Sequence, residues 1–317
     1  MEKTNRNIQG PRSKVAIIGT GSVGTTLAYT LMLREVAGEI LLIGRNQAKA
    51  EGEALDLRHA QAFLPSPARV RAGVLEDAVD SDVVVACFSA PQPATLTDRN
   101  AMVRKNAELM REILPPLAKI APDCKLVIVT NPVDPMTWLA IQLTGFPPER
   151  VFGTGTVVDS IRLRELLSAD LRIHPDDLRA YILGEHGDKQ FAAMSLAQAG
   201  GERIVPTPER RAFCERVKGF GIEIFQKKGN TSYGIAQATS YIIESILFDE
   251  RRTMPLSVLL DGYLGLHDLC LSIPVVVGRN GIERHIQPEL SGEEIALFRE
   301  AADTVRSIID NLKKELP

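Results

Sequence analysis

Lys14-Val15-Ala16-Ile17-Ile18-Gly19-Thr20-Gly21-Ser22-Val23-Gly24 is the stretch that decides how this chain folds. A short apolar run ends on a glycine turn, an apolar-periodic helix follows to about Arg34, and a second apolar run spans Ile40 to Ile43. Strand, helix, strand is a βαβ unit. In this G-x-G-x-x-G each glycine has its own duty: Gly19 permits the tight turn, Gly21 lets backbone approach a pyrophosphate, and Gly24 lets helix pack on strand. The anion then rests on the positive end of the helix, against Ser22 and Val23. The motif alone could be an ordinary glycine turn; its place in the first βαβ unit makes it a dinucleotide site.

Working outward, two more apolar runs, Val83 to Phe88 and Leu126 to Thr130, are separated by helical stretches, the pattern of a wound parallel sheet. The helix from about Asp98 to Ile120 puts Met102, Val103, Met110, Ile113, Leu114 and Leu117 on one stripe. Residues 14–150 therefore form an α/β, Rossmann-type doubly wound domain. After Arg150 the alternation loosens. Helices are expected near 157–169, 209–227 and 233–249, with strands at 180–183, 254–262, 266–271 and 275–277, as in a second, α+β substrate domain over 151–317. Ser291 with Glu294 three residues on marks the start of the last helix, whose apolar side carries Ile295, Phe298, Ala302, Val305, Ile309 and Leu312. Residues 1–13 are a polar tail, either an inter-subunit arm or a disordered segment.

The 317 residues, 44% hydrophobic, suffice for two domains. A net charge of −3 with scattered Lys and Arg argues against a nucleic-acid partner and suits a small molecule. Cys87, Cys124, Cys214 and Cys270 are far apart, without metal-ligand spacing, and read as reduced thiols; no metal is expected. With neither a secretory h-region nor a membrane-length apolar run, the chain is expected in the cytoplasm and away from membranes.

Dinucleotide sites of this kind place an acid at the tip of the second strand to bind the adenosine ribose. Gly44 occupies that place, followed by Arg45 and Asn46. The carboxylate that repels a 2′-phosphate is missing and a guanidinium is available to pair with one, so NADP is expected in preference to NAD. Alternatively, Arg45 is a solvated residue and the ribose is held by backbone.

Four further segments come in fixed order: Asp98-Arg99, Asn131-Pro132-Val133-Asp134, Asp159-Ser160-Ile161-Arg162 and Gly184-Glu185-His186-Gly187-Asp188. With Thr144-Gly145-Phe146-Pro147, Gly153-Thr154-Gly155-Thr156 and Lys228-Gly229-Asn230-Thr231-Ser232-Tyr233, the chain resembles the L-lactate/malate dehydrogenase family over about residues 14 to 315, including its L-2-hydroxyisocaproate dehydrogenases. The resemblance implies hydride transfer between a nicotinamide cofactor and a 2-oxo or L-2-hydroxy acid. His186 is the implied proton-transfer residue, and imidazole carries a transferable proton near neutral pH. Asp159 and Arg162, three apart on one helix face, match the partner of that imidazole and the arginine that forks onto the substrate carboxylate. Read without the resemblance, they are a surface ion pair. Arg99 matches the loop arginine that polarises the carbonyl. Asn131 matches the holder of the nicotinamide and carbonyl region, Thr231 a wall of the substrate pocket, and Ala90 a cofactor contact. A homodimer or homotetramer is implied as well.

Two places depart from the family pattern. Substrate choice lies six residues before the loop arginine, where malate-type members carry arginine and lactate-type members glutamine. This chain has Pro93, with Gln92 beside it, in an uncharged loop, Ala90-Pro91-Gln92-Pro93-Ala94-Thr95-Leu96-Thr97. Without a second arginine a dicarboxylate would bury an unpaired charge, so an apolar or larger 2-oxo acid is expected. A one-residue slip placing Gln92 in register restores a lactate-type reading. An NADP-linked malate dehydrogenase and a non-catalytic dinucleotide-binding protein are the rival readings. Arg164 and Arg179 match positions where some bacterial members bind an activating sugar bisphosphate, but the second is usually histidine there, and both are expected to be surface arginines.

Overall fold

The computed structural model describes residues 13–90 and 99–314, and only the backbone of 99–101. The first half runs β1 (Lys14–Ile18), α1 (Ser22–Leu33), β2 (Glu39–Ile43), α2 (Gln47–Ala60), β3 (Arg69–Gly73), β4 (Val83–Ala86), α3 (Arg99–Ile120), β5 (Lys125–Ile128), α4 (Val133–Thr144) and β6 (Val151–Gly153). Its strands lie side by side in the order 3-2-1-4-5-6, every pair parallel. The order reverses between β1 and β4, and a doubly wound sheet opens its ligand crevice beyond the carboxyl ends of the strands at such a point. β4 is buried at every residue, and α1 packs Leu27, Ala28, Leu31 and Met32 inward, so apolar runs without alternation fold as strands covered on both faces.

The second half comprises α5 (Val157–Leu171), β7 (Leu178–Arg179), β8 (Ile182–Leu183), β9 (Phe191–Ala192), β10 (Gln198–Ala199), β11 (Glu202–Arg203), α6 (Pro208–Lys228), α7 (Tyr233–Leu247), β12 (Arg252–Asp261), β13 (His267–Gly278), β14 (Gly281–His285) and α8 (Gly292–Lys313). Two small sheets, β11-β10-β7 and β8-β9, stand apart. The long antiparallel strands do not: β12 pairs with β6 at Ser257 and Gly153, so β12, β13 and β14 extend the parallel sheet to nine strands among the described residues. One hydrogen-bonded ladder thus crosses from the first half into the second.

Several element boundaries differ from the sequence reading. The expected strands at 266–271 and 275–277 are one strand, β13, running through Pro274. A proline lacks the ladder donor and reads as a stop. Here it lies opposite Pro255 on β12, and its carbonyl accepts from the Ile286 N–H. Of the strand expected at 180–183 only Ile182–Leu183 forms one, β8, while β7 ends just before it at Arg179. Strands β3, β6 and β14 were not expected at all. In β3, Arg69 and Arg71 interrupt the apolar run, yet both pair across the edge with Glu39, at 3.4 and 2.9 Å. The start of α8 is as expected: Ser291 Oγ accepts from the Glu294 N–H at 3.3 Å and Glu294 Oε2 accepts from the Ser291 N–H at 2.8 Å. Its Phe298, Ala302, Val305, Ile309 and Leu312 are buried, whereas Ile295 is only half-buried. No described helix is long and apolar enough to cross a membrane.

Candidate active site

The glycine turn lines a cleft of about 720 Å³ at the switch point, together with Ser22, Val23, Gly44, Arg45 and Asn46. The three glycines are needed for three different reasons. Gly19 sits at φ +118°, and a Cβ there would stand 2.7 Å from the Phe88 nitrogen. A Cβ on Gly24 would lie 1.9 Å from the Gly19 carbonyl oxygen, so only glycine lets α1 seat on the turn. Among the described residues a Cβ on Gly21 would meet nothing within 4 Å, the open cradle that a pyrophosphate requires. Ser22 and Val23, in the first turn of α1 where backbone N–H groups have no partner within the helix, line the same cleft, so the residues present fit a dinucleotide.

At the tip of β2, a Cβ on Gly44 would approach Thr20 Oγ1 to 2.5 Å. Any side chain at this position, an acidic one included, would therefore need Thr20 to shift. Arg45 and Lys49 are exposed beside the cleft and both line it. Asn46 lines it too, but its side chain caps α2, accepting from the Lys49 N–H at 3.0 Å. Lys49 was missed in the sequence, although its place on the first turn of α2, four residues after Arg45, is the signal that could have found it.

His186, Asp159 and Arg162 come together although the first lies on the loop after β8 and the others on α5. His186 Nδ1 is 2.6 Å from Asp159 Oδ2, and Arg162 Nη1 donates to Asp159 Oδ1 at 3.0 Å. Asp159 is 2% exposed at its side chain, Arg162 17% and His186 30%, so the carboxylate is enclosed while the imidazole keeps an open edge. Burial disfavours the imidazolium. The Asp159 charge and hydrogen bond, with a smaller contribution from Asp134, outweigh it and raise the imidazole to about 9. Burial likewise works against the Asp159 carboxylate, but the imidazolium and the guanidinium hold it below its usual range. Arg162 makes no other hydrogen bond among the described residues.

The remaining expected residues are dispersed. Thr231 borders the dinucleotide cleft. Asn131 is exposed, directly before α4. Ala90 is buried, and its N–H donates to Asn106 Oδ1 at 2.8 Å, while Asn106 Nδ2 donates to the Asn131 carbonyl at 2.7 Å. Asn106, fully buried on α3, thus ties the end of the segment after β4 to the turn before α4; a lone polar residue on the apolar stripe of that helix is its sequence signal. The backbone of Arg99 opens α3, and its side chain, like Gln92 and Pro93, lies outside the described residues. Arg164 corrects an expectation. It is half-buried, its Nε enclosed without a hydrogen-bond partner among the described residues, and burial pulls its guanidinium below the ordinary value. With the exposed Arg179 it lines a separate cleft that also includes Arg34 and Arg252. Among the described residues no cluster of three His, Cys, Asp or Glu is placed to hold a metal.

Comparison with known proteins finds a match for each part of the chain. Residues 13–153 match the family model for the lactate/malate dehydrogenase NAD binding domain, and residues 156–316 match that for the lactate/malate dehydrogenase alpha/beta C-terminal domain. An L-lactate dehydrogenase of Acetivibrio thermocellus is 40% identical over 309 residues, covering 94% of this chain and 97% of that protein. One from Clostridium botulinum (strain Okra) is 37% identical over 309 residues, covering 94% and 96%. Among solved structures, the minor L-lactate dehydrogenase of Enterococcus mundtii superposes with a TM-score of 0.90 at 34% identity, covering 95% of this chain and 98% of that one. A lactate dehydrogenase from a deep-sea metagenome superposes at 0.92 with 30% identity, covering 96% of this chain and 100% of that one. With both domain models matched in order and relatives aligned over nearly the full length, the chain belongs to the lactate/malate dehydrogenase family.

Proposed function

We propose that His186 is the proton-transfer group in the hydride exchange between a nicotinamide dinucleotide and a 2-oxo acid that characterises this family. The observation that carries this reading is the unbroken chain from guanidinium to carboxylate to imidazole, Arg162 to Asp159 to His186. Asp159 accepts from Nδ1, which fixes the tautomer and leaves Nε2 as the nitrogen that exchanges its proton. An imidazole raised to about 9 is protonated at neutral pH and ready to deliver that proton to a carbonyl oxygen. The edge of Arg162 not engaged by Asp159 is free to fork onto the substrate carboxylate. The bound nicotinamide supplies the hydride. Arg99 takes the polarising role its position matches, Asn131 holds the carbonyl region, and Thr231 walls the pocket where it meets the dinucleotide cleft.

The dinucleotide we read as NADP. Support comes from Gly44, where Thr20 crowds any Cβ and no ribose-binding acid stands, and from the cations Arg45 and Lys49 beside the same cleft. A 2′-phosphate would be paired there, where a family member with an acid would repel it. The substrate we read as a monocarboxylic 2-oxo acid with an apolar or larger side chain, because segment 90–97 carries no charge to pair with a second carboxylate. Residues 14–150 then serve the dinucleotide and 151–317 the substrate. Tyr29, Leu33 and Leu55, exposed on α1 and α2, support a homo-oligomer, and four unpaired cysteines support a reducing, cytoplasmic setting.

One set of initial rates tests all of this: NADPH and NADH, each against pyruvate, oxaloacetate and branched and aromatic 2-oxo acids, followed by loss of nicotinamide absorbance. The reading expects NADPH with a bulky monocarboxylic acid to give the highest kcat/KM. Highest kcat/KM with oxaloacetate would establish the malate reading, a preference for NADH would overturn the cofactor reading, and no turnover with any pair would leave the non-catalytic one.

A further inference from the structure

Asp134 is 1% exposed on the first turn of α4, a place where an acid normally faces solvent and the helix dipole. Both its oxygens are engaged in the interior. Oδ2 accepts the backbone N–H of His186 at 2.7 Å, and Oδ1 accepts the hydroxyl of Ser257, itself fully buried on β12, at 2.6 Å. A buried carboxylate is costly unless compensated, and of its two hydrogen-bond partners one is the main chain of the histidine that transfers the proton.

We propose that Asp134 is a positioning residue for His186, anchoring the loop through its main chain and placing a second negative charge behind the imidazolium that Asp159 already faces. This rests on the reading of His186 as the proton-transfer group. Ser257 belongs to the same device: it fixes the Asp134 rotamer and donates to its ionised form. The groups that act on this pair come from every neighbouring element. Asp159 and Arg162 stand on α5, Glu185 on the loop itself, Cys270 on β13 and Ser257 on β12. Burial pushes the Asp134 carboxyl up to about 7, against the pull of Ser257 and of the His186 N–H and imidazolium, so its charge is itself pH-dependent in the working range. Because the two groups interact, their titration belongs to the pair.

Asp134→Asn removes the charge yet retains both contacts, since the amide oxygen accepts from the His186 N–H and the amide nitrogen donates to Ser257 Oγ. The expected result is a well-folded variant in which the His186 imidazole, identified in NMR titrations by its absence in His186→Gln, moves down by about half a pH unit or more. The pH limit of kcat in the reducing direction moves with it, while dinucleotide affinity stays as in the wild type. Ser257→Ala keeps the carboxylate but loses one donor to it, which raises Asp134 further and shifts the imidazole in the same direction by less. A folded Asp134→Asn whose imidazole titrates at the wild-type position overturns the proposal. Should that variant fail to fold, an unmoved imidazole in Ser257→Ala overturns it equally. The NMR readout does not depend on turnover, so it separates this proposal from the catalytic assignment: retained turnover in His186→Gln sinks that assignment while leaving the titration shift readable.

Discussion

The two halves of the candidate site are built from different material. The dinucleotide cleft is made of backbone: Gly19 supplies a conformation, Gly24 a close approach and Gly21 an empty face. The proposed proton-transfer centre is made of side chains brought from α5, from the loop after β8 and from α4, with Asp159 bonded to the imidazole and guanidinium and Asp134 to the His186 main chain. A backbone site fails when an atom is added. A side-chain site fails when one is removed, and the two kinds of failure separate in measurement.

Removing the imidazole is the harshest test of that contrast. His186→Ala is expected to lower kcat by about 10²–10⁴-fold, the usual worth of a positioned acid–base group, with the dinucleotide Kd unchanged in a fluorescence titration. Near-normal turnover would break the comparison at once. Adding atoms to the cleft should do the reverse. Gly24→Ala, with its Cβ driven into the Gly19 carbonyl, is expected to destabilise the fold by about 1–3 kcal/mol in denaturant unfolding and to weaken dinucleotide binding. Gly21→Ala has room in the protein and should leave Tm unmoved while weakening the dinucleotide by about tenfold, roughly 1.4 kcal/mol.

Smaller effects sharpen the picture. Arg45→Ala should raise KM for NADPH by about tenfold and leave that for NADH alone, because the loss of an exposed charge-assisted phosphate contact costs about 1.4 kcal/mol. Equal effects on both cofactors would return Arg45 to the solvent. Asn106→Ala leaves the Ala90 N–H without its partner and should cost about 1–3 kcal/mol of stability, readable as a drop in the denaturation midpoint. The pH dependence has a definite sign. The folded imidazole is raised from 6.5 to about 9, so its contribution to stability is complete below 6.5 and is lost as pH rises through about 9. The rate of 2-oxo acid reduction should fall over that same upper limb, and a flat rate to pH 10 would contradict the assignment.

How much of this was legible depended on how local the cause was. The glycine turn, α1, the α8 capping box and the apolar stripe of α3 are decided by neighbours a few residues apart, and the sequence states them openly. The parallel, doubly wound character follows from the βαβ repeat, but the order 3-2-1-4-5-6 does not, since it includes β3 and β6, which the sequence did not announce. What stayed hidden was set by distant partners. Pro274 lies within a continuous strand because Pro255 stands opposite it, and Arg71 sits in β3 because Glu39 on β2 receives it. His186, Asp159 and Arg162 could be named only because they resemble a family pattern; nothing in their spacing brings residue 186 to residue 159. Asp134 was in plain view within Asn131-Pro132-Val133-Asp134, but an acid on the first turn of a helix has an ordinary explanation, and its burial depends on Ser257, far along the chain.

The pairing of Gly153 with Ser257 has a mechanical consequence. Because the ladder continues from β6 into β12, the two halves cannot swing apart on a hinge without tearing that ladder, as two domains joined by a single linker could. The span from the bare face of Gly21 to the imidazole of His186 is therefore gauged by the sheet, much as a calliper is set once and locked. A dinucleotide seated at the glycine turn would then reach toward the His186 loop across a separation that the sheet sets and no hinge adjusts.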